Sequence, residues 1–227
     1  MGIASKVLRQ YAAWGERGWL KAGGAIFDVG AQQLSGGIKP EFVNLFVTTF
    51  GGKPYTEDEM PKADDYAGHV IQRAGFRYAA ADIQSLPFAI TLDLNRSELP
   101  AEHVGQYDLV TNHGTSEHIL NQWNVMKVMH EAARPGGLIH HGVPMANDFE
   151  HGIVSYNPKF FWALAAANDY EILNFRGLVG DDMAVPDSIV SQLNFKQTPR
   201  GNQTWLFALF RKPDDRPFAG LIDPAFK

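Results

Sequence analysis

No cysteine occurs among the 227 residues. That absence removes disulfides, thiolate metal sites and cysteine nucleophiles together, and it fits a reducing compartment. Basic runs are missing too. Twenty Lys and Arg stand against 25 Asp and Glu, for a formal net charge of -5, so nothing draws the chain to a phosphate backbone and nucleic acid is not an expected partner. No stretch approaches the roughly 20 apolar residues of a membrane helix. Residues 1–20, interrupted by Lys6, Arg9, Glu16 and Arg17, lack the continuous apolar centre of a secretory leader. A cytoplasmic protein with no membrane partner is therefore expected, of open oligomeric state.

What is present is a chain with 45% hydrophobic and 20% charged residues. That is enough to bury one core, and the length suits a single domain over residues 1–227 with local insertions. Val7, Leu8, Tyr11, Trp14 and Trp19 recur at helical spacing, which predicts an amphipathic helix over residues 5–20 interrupted near Gly15 or Gly18. The apolar run Ala25-Ile-Phe-Asp-Val-Gly30 predicts a strand buried on both faces. Between residues 34 and 65 the pattern loosens into loops around one apolar piece at 42–50. A connection of this length predicts a lid or an insertion.

From residue 66 the pattern becomes regular. Helices are expected at 66–74, 119–133 and 158–168, and strands at 76–81, 88–92, 107–111, 138–143, 170–175 and 204–210, with Gly75 and Arg134-Pro-Gly-Gly137 as stops. Strands interleaved with helices make a mostly parallel sheet covered on both faces.

Four features then follow in order. Asp28-Val-Gly30-Ala-Gln32 ends the first strand, where an open α/β sheet places its ligand and where glycine admits a close approach. Asp82 ends the next strand and can accept hydrogen bonds from both hydroxyls of a ribose. Asp93, in Leu92-Asp-Leu-Asn95, ends the third and can accept from an adenine amino group while Leu94 or its neighbour packs the ring. The fourth is Tyr107-Asp-Leu-Val-Thr-Asn112, followed by Glu117-His118 and closed by the Pro-Gly-Gly turn.

At these residues, over about 25–144, the sequence resembles the class I methyltransferases that use S-adenosyl-L-methionine (SAM). The resemblance implies a Rossmann-like three-layer α/β sandwich whose seven-stranded, mostly parallel sheet has an antiparallel last strand. It implies SAM as cofactor, held by Asp28, Gly30, Gln32, Asp82, Asp93 and Leu94. Gln32 departs from the pattern, which often has a second glycine there; its amide can point away or donate to the methionine carboxylate. Asp108, after a strand-entry tyrosine, is expected to be structural, and Glu117-His118 to begin a helix beside the pocket.

Of eight histidines, His113, His118, His140, His141 and His151 fall near the carboxyl ends of strands four and five. No HxH or HExxH pair occurs, and adjacent His140 and His141 must face opposite sides of a strand, so no metal ligand is assigned. A lone histidine as general base is better motivated, because a hydroxyl or amine acceptor must lose a proton around methyl transfer. His113, His141 and His151 are the candidates. Residues 151–160 resemble a stretch of bacterial methyltransferases of this kind, with Asn157 as helix cap, Pro158 in the first turn, and His151 and Tyr156 on the substrate side.

Asn112-His-Gly-Thr115 is unlike the Asn/Asp-Pro-Pro-aromatic motif of enzymes that methylate nucleobase or glutamine nitrogens. The expected acceptor is an uncharged or modestly polar small molecule, such as a sugar or lipid-linked glycan precursor, shaped by segment 34–65 with Phe42, Phe46, Phe50 and Tyr55 and by segment 180–202. Two rivals stand beside this expectation. One is a SAM-binding protein of the same build without catalysis. The other is a nicotinamide-dependent oxidoreductase, whose GxGxxG fingerprint the chain lacks, since Gly30, Gly36 and Gly37 are wrongly spaced.

Overall fold

The computed structural model describes residues 2–146, 151–179 and 204–221; the expected insertion at 180–202 lies outside them. Seven strands form one sheet in the order β3-β2-β1-β4-β5-β7-β6. They are β1 (Ala25–Val29), β2 (Arg77–Asp82), β3 (Ala89–Thr91), β4 (Tyr107–His113), β5 (Ala133–Ala146), β6 (Glu171–Val179) and β7 (Thr204–Arg211). Strand β7 runs antiparallel to both β5 and β6, and the pairings among β1 to β5 are parallel. The strand order reverses direction between β1 and β4, leaving a switch point at their carboxyl ends.

Period-two alternation on fully buried strands sends each residue to one of two helical layers. Ile26, Leu109, Leu138 and Leu209 face a layer containing α1 (Ser5–Glu16), α2 (Pro40–Thr49) and α3 (Ala67–Arg73). Phe27, Val110, Ile139 and Phe210 face the other, with α4 (Gln122–Ala132) and α5 (Pro158–Ala167). Asn121 and Asn157 cap these last two helices, their side chains accepting from the Asn124 and Phe160 N–H groups. Helix α1 ends at Glu16. A Cβ at Gly15 would lie 2.6 Å from Phe50 Cζ, so the glycine there lets α1 close onto the end of α2.

Segment 34–65 differs from a loose lid. Its ends are zipped together, Leu34 N–H donating to Asp65 O at 2.8 Å and Asp64 N–H to Leu34 O at 2.9 Å. Its middle is helix α2, which buries Val43, Phe46 and Val47. Phe46 and Phe50 pack on Phe76, and Phe46 also on Tyr11. Truncating a buried phenylalanine costs about 3–5 kcal/mol, so these two rings contribute to the core. The expected Pro-Gly-Gly stop is likewise absorbed: β5 begins at Ala133, directly after α4, and pairs with Tyr107 before its register shifts. Among the described residues no helix is long and apolar enough to cross a membrane.

Candidate functional site

The carboxyl edge of β1 to β4 gathers the expected residues unequally. Gly30 turns the chain out of β1 at φ +86°, and a Cβ there would sit 2.3 Å from Thr115 Oγ1, so both its dihedral and its surroundings demand glycine. Asp82, half-buried at the end of β2, reaches back to this turn: its Oδ2 accepts the Ala31 N–H at 3.0 Å and its Oδ1 the Gln84 N–H at 3.0 Å. Both oxygens keep a lone pair for a further donor. Asp93 follows β3, with Oδ1 accepting the Asn95 N–H at 2.9 Å. Its loop is tied to α4 by Asn124 Nδ2, which donates to Leu94 O and Ser97 O.

Leu94 itself is buried in the core. The exposed apolar side chain is Ile83, 65% accessible, directly after Asp82. Its side chain lies in solvent beside the acid that ends β2.

Asp28 lies behind the edge. Its carboxylate is fully buried, one oxygen accepting from Tyr78 Oη at 2.6 Å and the other from Thr111 Oγ1. The register explains this, since Asp28 pairs with Thr111 across β1 and β4 and shares a face with Tyr78. Burial lifts the carboxyl to about 6, against the two hydroxyl donors that lower it. Asp28 thus braces the turn from within. Gln32 is buried beside Gly30, its Nε2 donating to Thr115 Oγ1 at 3.1 Å and Val29 O at 3.4 Å. Its Oε1 is enclosed without a hydrogen-bond partner. The amide therefore bridges the switch point between the β1 turn and the loop after β4, leaving a free acceptor where a free donor was expected.

The histidines separate cleanly. His140 meets Trp14 and His113 edge-on beneath α1, while His141 packs against Phe161 and Phe210 on the other layer, as strand alternation requires. His113 is hydrogen-bonded to Tyr11 Oη at 2.7 Å. Burial holds His113 down to about 4 and His141 to about 3, so both are neutral and enclosed. His151 is the candidate base that lies near the surface. Its Nε2 stands 3.1 Å from Glu117 Oε1, and His118 lies beside it. Asp108 sits at the opposite end of β4, accepting the Ala25 N–H at 2.7 Å and pairing with Arg134, a structural brace as expected.

Tyr156 is buried beside this group, donating to Ser116 Oγ at 2.6 Å, and Asn112 Nδ2 donates to the same oxygen at 2.7 Å. Asn112 and Ser116 thereby fix the turn that carries Glu117. Sequence reasoning overlooked Ile83; an isoleucine between a strand-ending acid and polar Gln84-Ser85 was the available signal.

No family model matches the chain, and no curated protein matches it in sequence. Solved structures do match. One is the 1,6-didemethyltoxoflavin-N1-methyltransferase of Burkholderia thailandensis, solved with 1,6-didemethyltoxoflavin and S-adenosylhomocysteine, at TM-score 0.50 and 12% identity over 91% of this chain and 78% of that one. Others are a 16S rRNA (adenine(1408)-N(1))-methyltransferase from Catenulisporales acidiphilia (TM-score 0.47, 11% identity, 95% and 96% coverage) and a putative methyltransferase from Bacillus halodurans (0.46, 15%, 89% and 98%). At 12% identity the first of these speaks to architecture alone, and with the 3-2-1-4-5-7-6 strand order it gives one conclusion: the chain has the fold of the class I SAM-dependent methyltransferases.

Proposed function

We propose that the chain binds SAM along the carboxyl edge of β1 to β3 and transfers its methyl group to a small-molecule acceptor. The observation that carries this proposal is the Asp82 carboxylate, locked onto the Gly30-Ala31 turn with lone pairs to spare and exposed Ile83 next to it. A fold of this kind places a nucleoside there. The residues suit one: Asp82 for the ribose diol, Ile83 for a face of the adenine, Asp93 for its amino group, and Gly30 for the close approach. Gln32 bridges the turn to Thr115, and Asp28 and Leu94 act from behind, the one bracing the turn and the other filling the core below the Asp93 loop.

When bound, SAM supplies an electrophilic methyl on a sulfonium. The chain's part is to hold the acceptor in line with it, which is a contribution of proximity and orientation. His113 and His141 are too enclosed to touch an acceptor, and we assign neither the role of base. The acceptor class we propose is an uncharged or modestly polar molecule such as a sugar or glycan precursor, in keeping with the net charge of -5.

Calorimetric titration with SAM, S-adenosylhomocysteine and NADH tests the cofactor, with binding of the first two and not the third expected. An acceptor screen with methyl-labelled SAM then tests transfer. Tight SAM binding with no labelled product from any sugar, phenol or amine would leave the non-catalytic alternative standing.

A further inference from the structure

Beyond the Asp82 edge, the loop after β4 and the segment entering α5 meet at one point. The Glu117 carbonyl accepts the N–H groups of Ile153 and Val154 at 2.9 and 3.0 Å, so two stretches over thirty residues apart in sequence are fastened backbone to backbone. Gly152 permits the contact, since a Cβ there would lie 2.7 Å from Glu117 Cγ. The fastening sets three side chains together. Glu117, His118 and His151 each offer a donor atom, and these atoms all lie within 4.8 Å of one another. Burial is graded across them: Glu117 is 0% exposed, His151 is half-buried and His118 is open to solvent.

The carboxylate is the informative member. Glu117 Oε1 faces His151 Nε2 at 3.1 Å, while Oε2 is buried with no hydrogen-bond partner. Leaving a buried carboxylate oxygen unmatched is costly, and burial accordingly pushes the carboxyl above its usual range. A cation between the three side chains would satisfy that oxygen. Two imidazoles and a carboxylate are a donor set that borderline divalent ions take, with ligand bonds of about 2.0–2.2 Å and therefore donor spacings of about 3.4 Å. Glu117 and His151 already stand near that spacing, and His118, exposed on a short 3-10 turn, is free to close by rotation.

We propose that Glu117, His118 and His151 form a binding site for a divalent cation of the zinc class. The protein supplies three ligands, and the fourth position is left to water or another oxygen donor, the pattern of an open site. The site is independent of the methyl-transfer proposal, because it uses none of the residues assigned to the cofactor.

The test is titration of the chelator-stripped protein with Zn2+ by calorimetry and with Co2+ by visible absorption, in the absence of SAM. One equivalent is expected, with a d–d spectrum of low-coordinate cobalt and a raised melting temperature. Removing one ligand of three should weaken binding about 100-fold for Glu117→Gln and His151→Ala and at least about tenfold for His118→Ala. His118 is exposed and its replacement leaves the fold intact, so that variant decides the matter even if Glu117→Gln unfolds. No saturable uptake, or uptake undiminished in His118→Ala and His151→Ala, overturns the proposal and leaves the Glu117–His151 contact as a structural fastening.

Discussion

Replacing Asp82 with alanine removes two kinds of bond at once, and they can be separated. Toward the ligand, each carboxylate oxygen has one lone pair left after accepting from Ala31 and Gln84 N–H, so a ribose diol would lose two charge-assisted hydrogen bonds. Such bonds contribute about 1.5–3 kcal/mol each. Water competes at a half-buried carboxylate, so the lower end applies, and about 3 kcal/mol corresponds to a Kd raised about 100-fold. Toward the protein, two N–H groups lose the same charged acceptor, again at the lower end of about 1.5 kcal/mol each, which for a chain of this size lowers Tm by about 2–4 °C per kcal/mol. Asp82→Asn keeps one acceptor oxygen and should fall between wild type and alanine. Calorimetry with SAM on both variants, each checked by thermal melt, reads the two effects apart. A Kd within about twofold of wild type for a folded Asp82→Ala protein removes Asp82 from the site, since even one such bond is worth about tenfold.

Gly30→Ala should lower stability by about 1–3 kcal/mol and weaken SAM binding, because φ +86° and a Cβ 2.3 Å from Thr115 Oγ1 both oppose it; an unchanged melt refutes the strain argument. Tyr11→Phe deprives buried His113 of its 2.7 Å phenol partner and should cost about 1–3 kcal/mol in urea denaturation, with no loss as the contrary result. Acid should destabilise the fold. His113 and His141, held at about 4 and 3 against 6.5 when unfolded, take up protons more readily in the unfolded chain, costing about 2 kcal/mol each on going from pH 7 to pH 5. Asp28, raised to about 6 from 3.8, works the other way over the same interval and returns about 1 kcal/mol. His130, also held down to about 4, and His140, likewise lowered by burial, add to the loss, so stability is expected to fall from pH 7 to pH 5, and a flat or rising profile in chemical denaturation would contradict it.

Much of the architecture was legible in the sequence because its signals are local. The buried run at β1, the glycine stop at Gly75 and the asparagine cap at Asn157 each act within a few residues. Helix α2 was less legible: it begins at Pro40 with no side-chain cap, and Thr48 and Thr49 bond back to backbone carbonyls, a competition that blurs the helical pattern. The edge carrying Gly30, Asp82 and Asp93 was foreseeable from chain order. The seclusion of Asp28 was not, since it depends on the register that brings Tyr78 and Thr111 alongside. For the same reason Glu117-His118 and His151 could not be joined into one cluster from sequence, because no spacing rule reports that Gly152 folds one segment against the other.

Helix α1 is joined to the sheet through the Tyr11 phenol, which reaches a residue 102 positions away. Helix α1 thus forms the roof over His113 and His140. A protease cutting between α1 and β1 would let water onto imidazoles kept neutral by its exclusion, and would remove the apolar cover from the layer that braces the Gly30 turn from beneath. Loss of ligand affinity after such a nick would then report on a helix that carries none of the residues assigned to the cofactor.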